Sequence, residues 1–227
     1  MEFKPFEYPE VQKLFGDLCD QLLSESGRGA LLVASAQMDD QLTQLIDAFL
    51  PKEMTSKDKK RLFKYPGHLS SFASKIELAY AFRLIDGSLY NCLNALRSLP
   101  NDAAHTTSNF ELHELSEKLK SIFNLGSGFQ GSMSHLAKEA FLKMKLNLLK
   151  DYLDESGLEL EDRKRIFFDA VKNEEVIASL EKQVPYWELI TGLSFLCGLI
   201  VLHKKRLQKL VASNILFSDL IKNEKEN

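Results

Sequence analysis

The sequence contains few of the residues on which turn-rich and disulfide-stabilised folds depend. Among its 227 residues are 11 glycines, 6 prolines and 3 cysteines. The shortage of glycine and proline argues against a turn-rich β-sandwich or barrel. Cys19, Cys92 and Cys197 are odd in number and far apart, and neither a CxxC pair nor a Cys/His cluster at zinc spacing occurs. We therefore expect three reduced, mostly buried thiols and no metal site.

Neither sign of charge dominates the chain. It carries 29 basic and 32 acidic side chains, which gives a formal net charge of −3, and 44% of its residues are hydrophobic. Such a chain can bury enough apolar surface to fold, so disorder of the whole chain is excluded. The near-neutral balance gives no general attraction to nucleic acid. The two short basic clusters, residues 57–64 and 203–209, are expected to be solvated helix faces.

Catalytic and cofactor-binding motifs are also scarce. The sequence has no GxxxxGK(S/T) phosphate loop, no HExxH zinc motif and no GxSxG nucleophile turn. Asp39 and Asp40 are adjacent, so on a helix they point about 100° apart and cannot form a paired-carboxylate site alone. For them we expect a salt bridge or exposure to solvent. We expect no cofactor.

The chain lacks a hydrophobic run of the length typical of a transmembrane helix. Its longest apolar run, residues 189–202, is flanked by Glu188 and by the basic residues 203–206. A membrane span needs about 20 apolar residues, so we interpret this shorter run as a buried core helix. The first residues do not show the basic stretch and apolar stretch of a signal peptide. We therefore expect a cytoplasmic protein without a membrane span.

Helical periodicity runs through most of the sequence. Leu31, Ala34, Met38, Leu42 and Leu45 recur at steps of three and four, whereas no long alternating strand pattern occurs. Similar patterns predict helices over residues 9–25, 30–50, 110–124, 133–152, 161–183 and 185–211. Further helices are predicted to begin at residue 56, at residue 70 or 71, and at residue 88, and the last of these is expected to be interrupted at residue 100. The expected interruption is at a proline, whose ring clashes with the carbonyl four residues earlier.

These helices predict an all-α fold. We expect an up-and-down helical bundle over residues 1–125 and a C-terminal helical region over residues 133–222 that packs on the bundle. Residues 126–132 are rich in glycine and serine, follow a helix and precede no phosphate-binding lysine, so we interpret them as a linker.

Three segments of the first half resemble the mannitol-operon repressor (MtlR-like) family. They are ALLVASA with MDDQL (residues 30–36 and 38–42), LSSFASKIELAY with LID (69–80 and 84–86), and LRSLPNDAAH (96–105). The resemblance covers residues 29–114. It implies a bacterial, cytoplasmic regulatory protein that acts through contacts with another regulatory protein and forms a homodimer. No helix-turn-helix with a basic recognition face is evident, so we expect no direct binding to nucleic acid.

The MtlR-like family in turn resembles the HEPN superfamily, some of whose members are metal-independent ribonucleases with an R-x4-6-H motif. That chemistry needs an imidazole for proton transfer and a guanidinium to stabilise the developing negative charge. Here His105 would supply the imidazole, but the position five residues earlier is Pro100, which has no charge. If the protein were a HEPN-like ribonuclease, the resemblance would assign the chemistry to Arg97, Asn101 and His105, with the first and last of these meeting across a dimer.

Because Pro100 occupies the expected arginine position, we expect that the protein is not an enzyme. The polar residues of this segment can instead have structural roles. Asn101 or Asp102 can cap a turn, and His105 can form a hydrogen bond with a carbonyl at a helix end. The candidate binding residues are Lys75, Arg97, Asn101, Asp102 and His105. The leading hypothesis is a non-catalytic regulator. The alternatives are a HEPN-like ribonuclease and a helical sensor that binds a small ligand in a bundle pocket.

Overall fold

The computed structural model describes residues 7–104, 110–125 and 129–213. Within these ranges the chain is all-α and contains no β-strand, as predicted. A short 3₁₀ turn, Leu112–Leu115, precedes the sixth helix. The helices are α1 (Pro9–Leu22), α2 (Gly27–Phe49), α3 (Ser56–Phe63), α4 (Phe72–Ala81), α5 (Gly87–Ala104), α6 (Ser116–Ile122), α7 (Phe129–Glu155), α8 (Leu160–Lys172), α9 (Glu174–Glu181) and α10 (Val184–Ser213).

Side-chain caps define where several helices begin. Ser26, Thr55 and Ser71 each accept a hydrogen bond from the backbone N–H three residues later, at the starts of α2, α3 and α4. These bonds satisfy N–H groups that have no partner within the helix. Ser71 is therefore the cap of α4, which resolves the choice between residues 70 and 71. Pro9 occupies the first turn of α1, where its missing N–H costs nothing.

The prediction of one continuous helix over residues 161–183 is wrong. The structure divides it into α8 and α9 at Asn173. The side-chain oxygen of Asn173 accepts hydrogen bonds from the N–H groups of Glu175 and Val176, and its backbone is extended. A strong N-cap residue thus starts a new helix within a segment whose charge pattern is continuous.

The predicted interruption at Pro100 is also wrong, because α5 continues through it to Ala104. Proline removes one backbone hydrogen bond, but its fixed φ angle suits a helix. Leu96, Leu99 and Ala103 are buried on one side of this helix and hold its last turns against the core. At the C-terminal end, the Nε of Arg28 donates to the carbonyl of Ala103 at 3.1 Å.

The predicted linker is only partly placed by the structure. Residues 126–128 lie outside the described residues, whereas residues 129–132 form the first turn of α7, so the linker prediction is wrong for them. Met133 and Ala137 in the next turns are buried. Their packing supplies the stability that a glycine-containing first turn lacks on its own.

The core is centred on α10. Leu189, Ile190, Leu193 and Leu196 are almost inaccessible to solvent and belong to the same hydrophobic cluster as the inward residues of α1, α2, α4 and α5. Helix α10 contacts α1, α2 and α7 most extensively. The last long helix of the described chain therefore completes the bundle formed by its first half.

The apolar run at residues 189–202 lies within this buried helix. Among the described residues, one helical stretch, Glu174–Lys209, is long and apolar enough by composition to cross a membrane. In the structure, 78% of its most apolar window is buried inside the protein. The prediction of a core helix agrees with this burial.

A glycine permits the closest approach between α10 and the end of α6. A Cβ atom at Gly192 would lie 2.6 Å from ring carbons of Phe123, which is itself fully buried. Such a separation is shorter than any normal carbon–carbon contact, so the phenyl ring occupies the space that a side chain would need. Gly16 lies on the exposed side of α1, and a Cβ atom there would have no neighbour within 4 Å.

We predict that Gly192→Ala destabilises the protein by about 1–3 kcal/mol, because the new methyl group forces Phe123 or α10 to move. Gly16→Ala is the matched control and should stabilise the protein by about 0.5–1 kcal/mol, since alanine has the higher helix propensity and meets no obstacle. Urea denaturation monitored by circular dichroism measures both changes. Equal stabilisation by the two substitutions would contradict the packing described here.

Candidate functional site

The described part of the structure does not bring the candidate residues at the end of α5 together into one site. Arg97 and Asn101 are exposed and lie one helical turn apart, so they share a solvent-facing side of α5. Asp102 is also exposed and forms an ion pair with Lys118 of α6. His105 lies outside the described residues. The structure therefore places Arg97 and Asn101 together and joins Asp102 to the neighbouring helix.

Lys75 is buried and paired within the protein. Its Nζ donates to the Oδ1 of Asp39 at 2.7 Å, and its side chain is only 6% exposed, compared with 32% for Asp39. The pair joins α4 to α2 and compensates the ammonium group for its loss of water. The salt bridge expected for Asp39 is present. The ammonium group of Lys75 faces this carboxylate within the bundle, and it is not available at the surface for a ligand.

Sequence reasoning overlooked Arg28. This residue follows the capped start of α2, and its hydrogen bond to Ala103 brings a guanidinium to the end of α5, two residues before His105. The local signal is an arginine between two glycines directly after a serine cap. The contact joins residues 75 positions apart, which no local pattern indicates. A polar cleft of about 440 Å³ adjoins it, lined by Ser26, Gly27, Arg28, Phe110, Glu111, Leu112, His113, Lys182 and Tyr186.

A second depression, here called the apolar groove, lies among α7, α8, α9 and the start of α10. Its volume is about 510 Å³. Apolar side chains form most of its surface, and charged residues stand on both sides, lysines on α7 and a glutamate on α9. Its lining consists of Lys138, Phe141, Leu142, Lys145, Leu146, Leu149, Ala170, Val176, Ile177, Leu180, Glu181 and Val184.

The apolar groove exists because α7 carries more apolar residues than the core can cover. Leu148 and Tyr152 fit the helical spacing of its apolar residues, but Tyr152 is 70% exposed and Leu148 is also exposed. The buried residues are Met133, Ala137 and Phe141 in the first half of the helix, and Leu153 near its end. Among residues of α8 and α9 whose burial is described, none is buried. This apolar surface is therefore open to solvent and available for contact with another molecule.

A small polar pocket adjoins the apolar groove. Lys138, Glu181 and Val184 line both depressions. The polar pocket has a volume of about 230 Å³. Its other lining residues are His113, Ser116, Lys120, Pro185 and Glu188.

Glu188 is the most unusual group in the polar pocket. It is completely buried, its Oε1 accepts a hydrogen bond from the hydroxyl of Ser134 at 2.6 Å, and its Oε2 has no hydrogen-bond partner among the described residues. The hydrogen bond from Lys120 to Glu117 raises the pKa of Lys120, and the negative charge of Glu188 adds to this rise. The Nζ of Lys120 lies 2.7 Å from the Oε1 of Glu117, so Lys120 pairs with that carboxylate and not with Glu188.

The thiols are free and poorly suited to nucleophilic chemistry. Cys92 and Cys197 are buried, and Cys19 is partly buried. Burial raises the pKa of Cys19 and Cys92 to about 11 and that of Cys197 to about 12. Since the thiolate is the reactive form, these groups are almost entirely protonated near neutral pH.

Comparisons with known proteins add no relative: no family model matches the sequence, and neither a curated protein nor a solved structure matches it. Within the described ranges, no group of three or more His, Cys, Asp or Glu side chains is arranged to hold a metal ion. The resemblance to the MtlR-like family stays a prediction.

We predict an unequal response when the Lys75–Asp39 pair is broken from its two sides. Asp39→Ala should cost about 2–4 kcal/mol, because it leaves a buried ammonium group without a partner. Lys75→Met should cost about 1 kcal/mol, because methionine fills a similar space and the remaining carboxylate can reach water. Urea denaturation at neutral pH measures both, and a larger loss in Lys75→Met would show that the pair is not buried as described.

Proposed function

We propose that the protein is a non-catalytic regulatory protein that acts by binding another protein in the apolar groove. The observation that carries this proposal is the open apolar surface formed by α7, α8 and α9. Isolated exposed leucines are common on protein surfaces, but a contiguous apolar depression is characteristic of a binding site.

The shape of the apolar groove favours an amphipathic helix as the bound element. Side chains from α7, α8 and α9 form its walls, and an apolar groove between helices accepts the apolar residues of a helix at positions i, i+3, i+4 and i+7. Lys138 and Lys145 stand on the α7 side, whereas Glu181 stands on the α9 side. Charges of opposite sign on the two sides give a docked helix a preferred orientation.

The family resemblance supports the regulatory part of this proposal. It covers residues 29–114 and implies a bacterial, cytoplasmic regulator whose partner is another regulatory protein. The apolar groove lies outside this region, between residues 138 and 184. The bundle would then serve as the scaffold, and the C-terminal helices would supply the contact with the partner.

We predict that Leu146→Asp weakens partner binding at least about tenfold, because it introduces a charge into the apolar groove. Leu136→Asp is the matched control, since Leu136 lies on the same helix with a similar exposure, 43% compared with 41%, but does not line the groove. The measurement is quantitative mass spectrometry of proteins that co-purify with each tagged variant from the source cells.

The expected result is a regulatory protein that is recovered with wild type and Leu136→Asp and lost with Leu146→Asp. Circular dichroism spectra of both variants should match that of wild type, because both positions are partly exposed. Equal recovery of every co-purifying protein with all three forms would contradict the proposal.

Metal-independent RNA cleavage is the second candidate function, and the position of Arg28 favours it. This guanidinium contacts the carbonyl of Ala103, which precedes His105 by two positions in the sequence, and it lies beside a polar cleft. Arg28 already binds the carbonyl of Ala103 there, which gives it a structural role as a helix C-terminal partner. The non-catalytic function therefore remains the proposal.

We predict that the purified protein does not cleave single-stranded RNA in the presence of a chelator. The assay compares wild type with His105→Ala and Arg28→Met on a labelled oligonucleotide, and thermal melting shows whether Arg28→Met stays folded. Cleavage by wild type that both substitutions abolish would establish the ribonuclease and overturn the non-catalytic proposal.

A further inference from the structure

Glu188 combines complete burial with an incomplete set of hydrogen bonds. A carboxylate can accept about four hydrogen bonds, and the described residues provide one, from Ser134. Leaving a buried charged oxygen without a donor costs more than leaving a neutral one. Thr191, one turn further along α10, also has a buried hydroxyl without a partner. The deficit is therefore local to the first turns of α10, where the polar pocket lies.

The cationic side chains around the polar pocket do not remove this deficit. Lys120 donates to Glu117 at 2.7 Å, and the Nδ1 of His113 lies 3.1 Å from a carboxylate oxygen of Glu111. Lys138 lines the pocket but makes no ion pair with Glu188 within 4.0 Å. No described donor, including the unpaired Nε1 of Trp187 and hydroxyl of Thr191, bonds this oxygen, so a donor from outside the described fold would satisfy it.

The polar pocket adjoins the apolar groove, which suggests a route for such a donor. Because Lys138, Glu181 and Val184 line both spaces, a ligand in the groove would lie next to the pocket. Lysine and arginine side chains lay an apolar stem along a hydrophobic surface and carry the charge at the tip. Val184 and Pro185 provide an apolar surface of this kind immediately before Glu188.

We propose that the helix bound in the apolar groove carries an arginine or lysine that enters the polar pocket and pairs with Glu188. This inference rests on the proposed function, because it specifies the partner of the same groove. The partner is therefore an amphipathic helix with an apolar stripe and a basic residue at the end of the stripe nearest α10. An arginine can bind a carboxylate through two parallel hydrogen bonds, which makes it the better match.

The test is selection from a displayed library of helical peptides of about 18 residues, with leucine fixed at positions i, i+3, i+4 and i+7 and all other positions randomised. The full-length protein is the bait, as wild type, Glu188→Gln, Glu139→Gln and Leu146→Asp. Glu188→Gln retains an oxygen that can accept from Ser134 but removes the charge. Glu139→Gln is the matched control, because Glu139 is an exposed glutamate of α7 that lines neither the apolar groove nor the polar pocket.

We expect wild type and Glu139→Gln to enrich peptides with arginine or lysine at one end of the leucine stripe. Glu188→Gln should enrich peptides that carry the leucine stripe but no basic residue at its end, and Leu146→Asp should enrich no peptide. In fluorescence anisotropy, replacing the selected basic residue by methionine should weaken binding to wild type about tenfold or more, and binding to Glu188→Gln less than about twofold.

The alternative outcomes separate the two proposals. Peptides that bind wild type through the leucine stripe without any basic preference would overturn the role of Glu188 and leave the groove as the docking site. A basic preference that persists in Glu188→Gln would likewise overturn it. Failure of wild type to select any helical peptide would overturn the proposed function, and this inference with it. Circular dichroism of Glu188→Gln distinguishes loss of the charge from loss of the fold.

Discussion

The burial of α10 is the constraint on which the rest of the structure depends. Leu189, Ile190, Leu193 and Leu196 are removed from water, and α10 packs mainly against α1, α2 and α7. Between α6 and residue 184, α7 packs along α10, whereas α8 and α9 lie outside the core and contact mainly each other. Because α10 already covers the core of the bundle, most apolar residues of α7, α8 and α9 beyond Phe141 stay partly exposed, with Leu153 as an exception, and the apolar groove results.

The sequence was sufficient for the elements that depend on local chemistry. The spacing of Leu31, Met38 and Leu45 predicted α2, and the serine pair at residues 70 and 71 marked the start of α4. Two local rules failed because packing outweighed them. Pro100 stays within α5 because its neighbours are buried, and the first turn of α7 is helical despite its glycine because Met133 and Ala137 are anchored in the core. The homodimer and the family membership stay predictions.

The candidate site was less accessible to sequence reasoning. Apolar residues surround most of α7, so their spacing does not show which side of the helix packs inward, and Leu148 and Tyr152 are exposed although they fit that spacing. The apolar groove, the polar pocket and the contact of Arg28 all join residues far apart in sequence. Their identity depends on how the helices are arranged, and no motif of consecutive residues records that arrangement.

Lys75 and Glu188 show how a buried charge can indicate function. Both are charged groups with almost no exposure, and the cost of removing each from water must be offset by partners. Lys75 finds Asp39 at 2.7 Å within the bundle, so its charge is accounted for by the fold itself. Glu188 receives one hydrogen bond from Ser134, which leaves one oxygen unpaired beside an open pocket. The first charge is explained by structure alone, and the second is the one for which we propose a binding partner.

The location of this unpaired charge also explains why a partner could be recognised selectively. Glu188 is carried by α10, whose apolar side is fixed in the core, so the carboxylate has a defined position. The opposite wall of the apolar groove comes from α8 and α9, which contact each other and bury none of the side chains described for them. A fixed charge sets the orientation of a docked helix, while a loosely packed wall tolerates different apolar side chains. Specificity would then arise mainly from the basic residue, and affinity mainly from the apolar stripe.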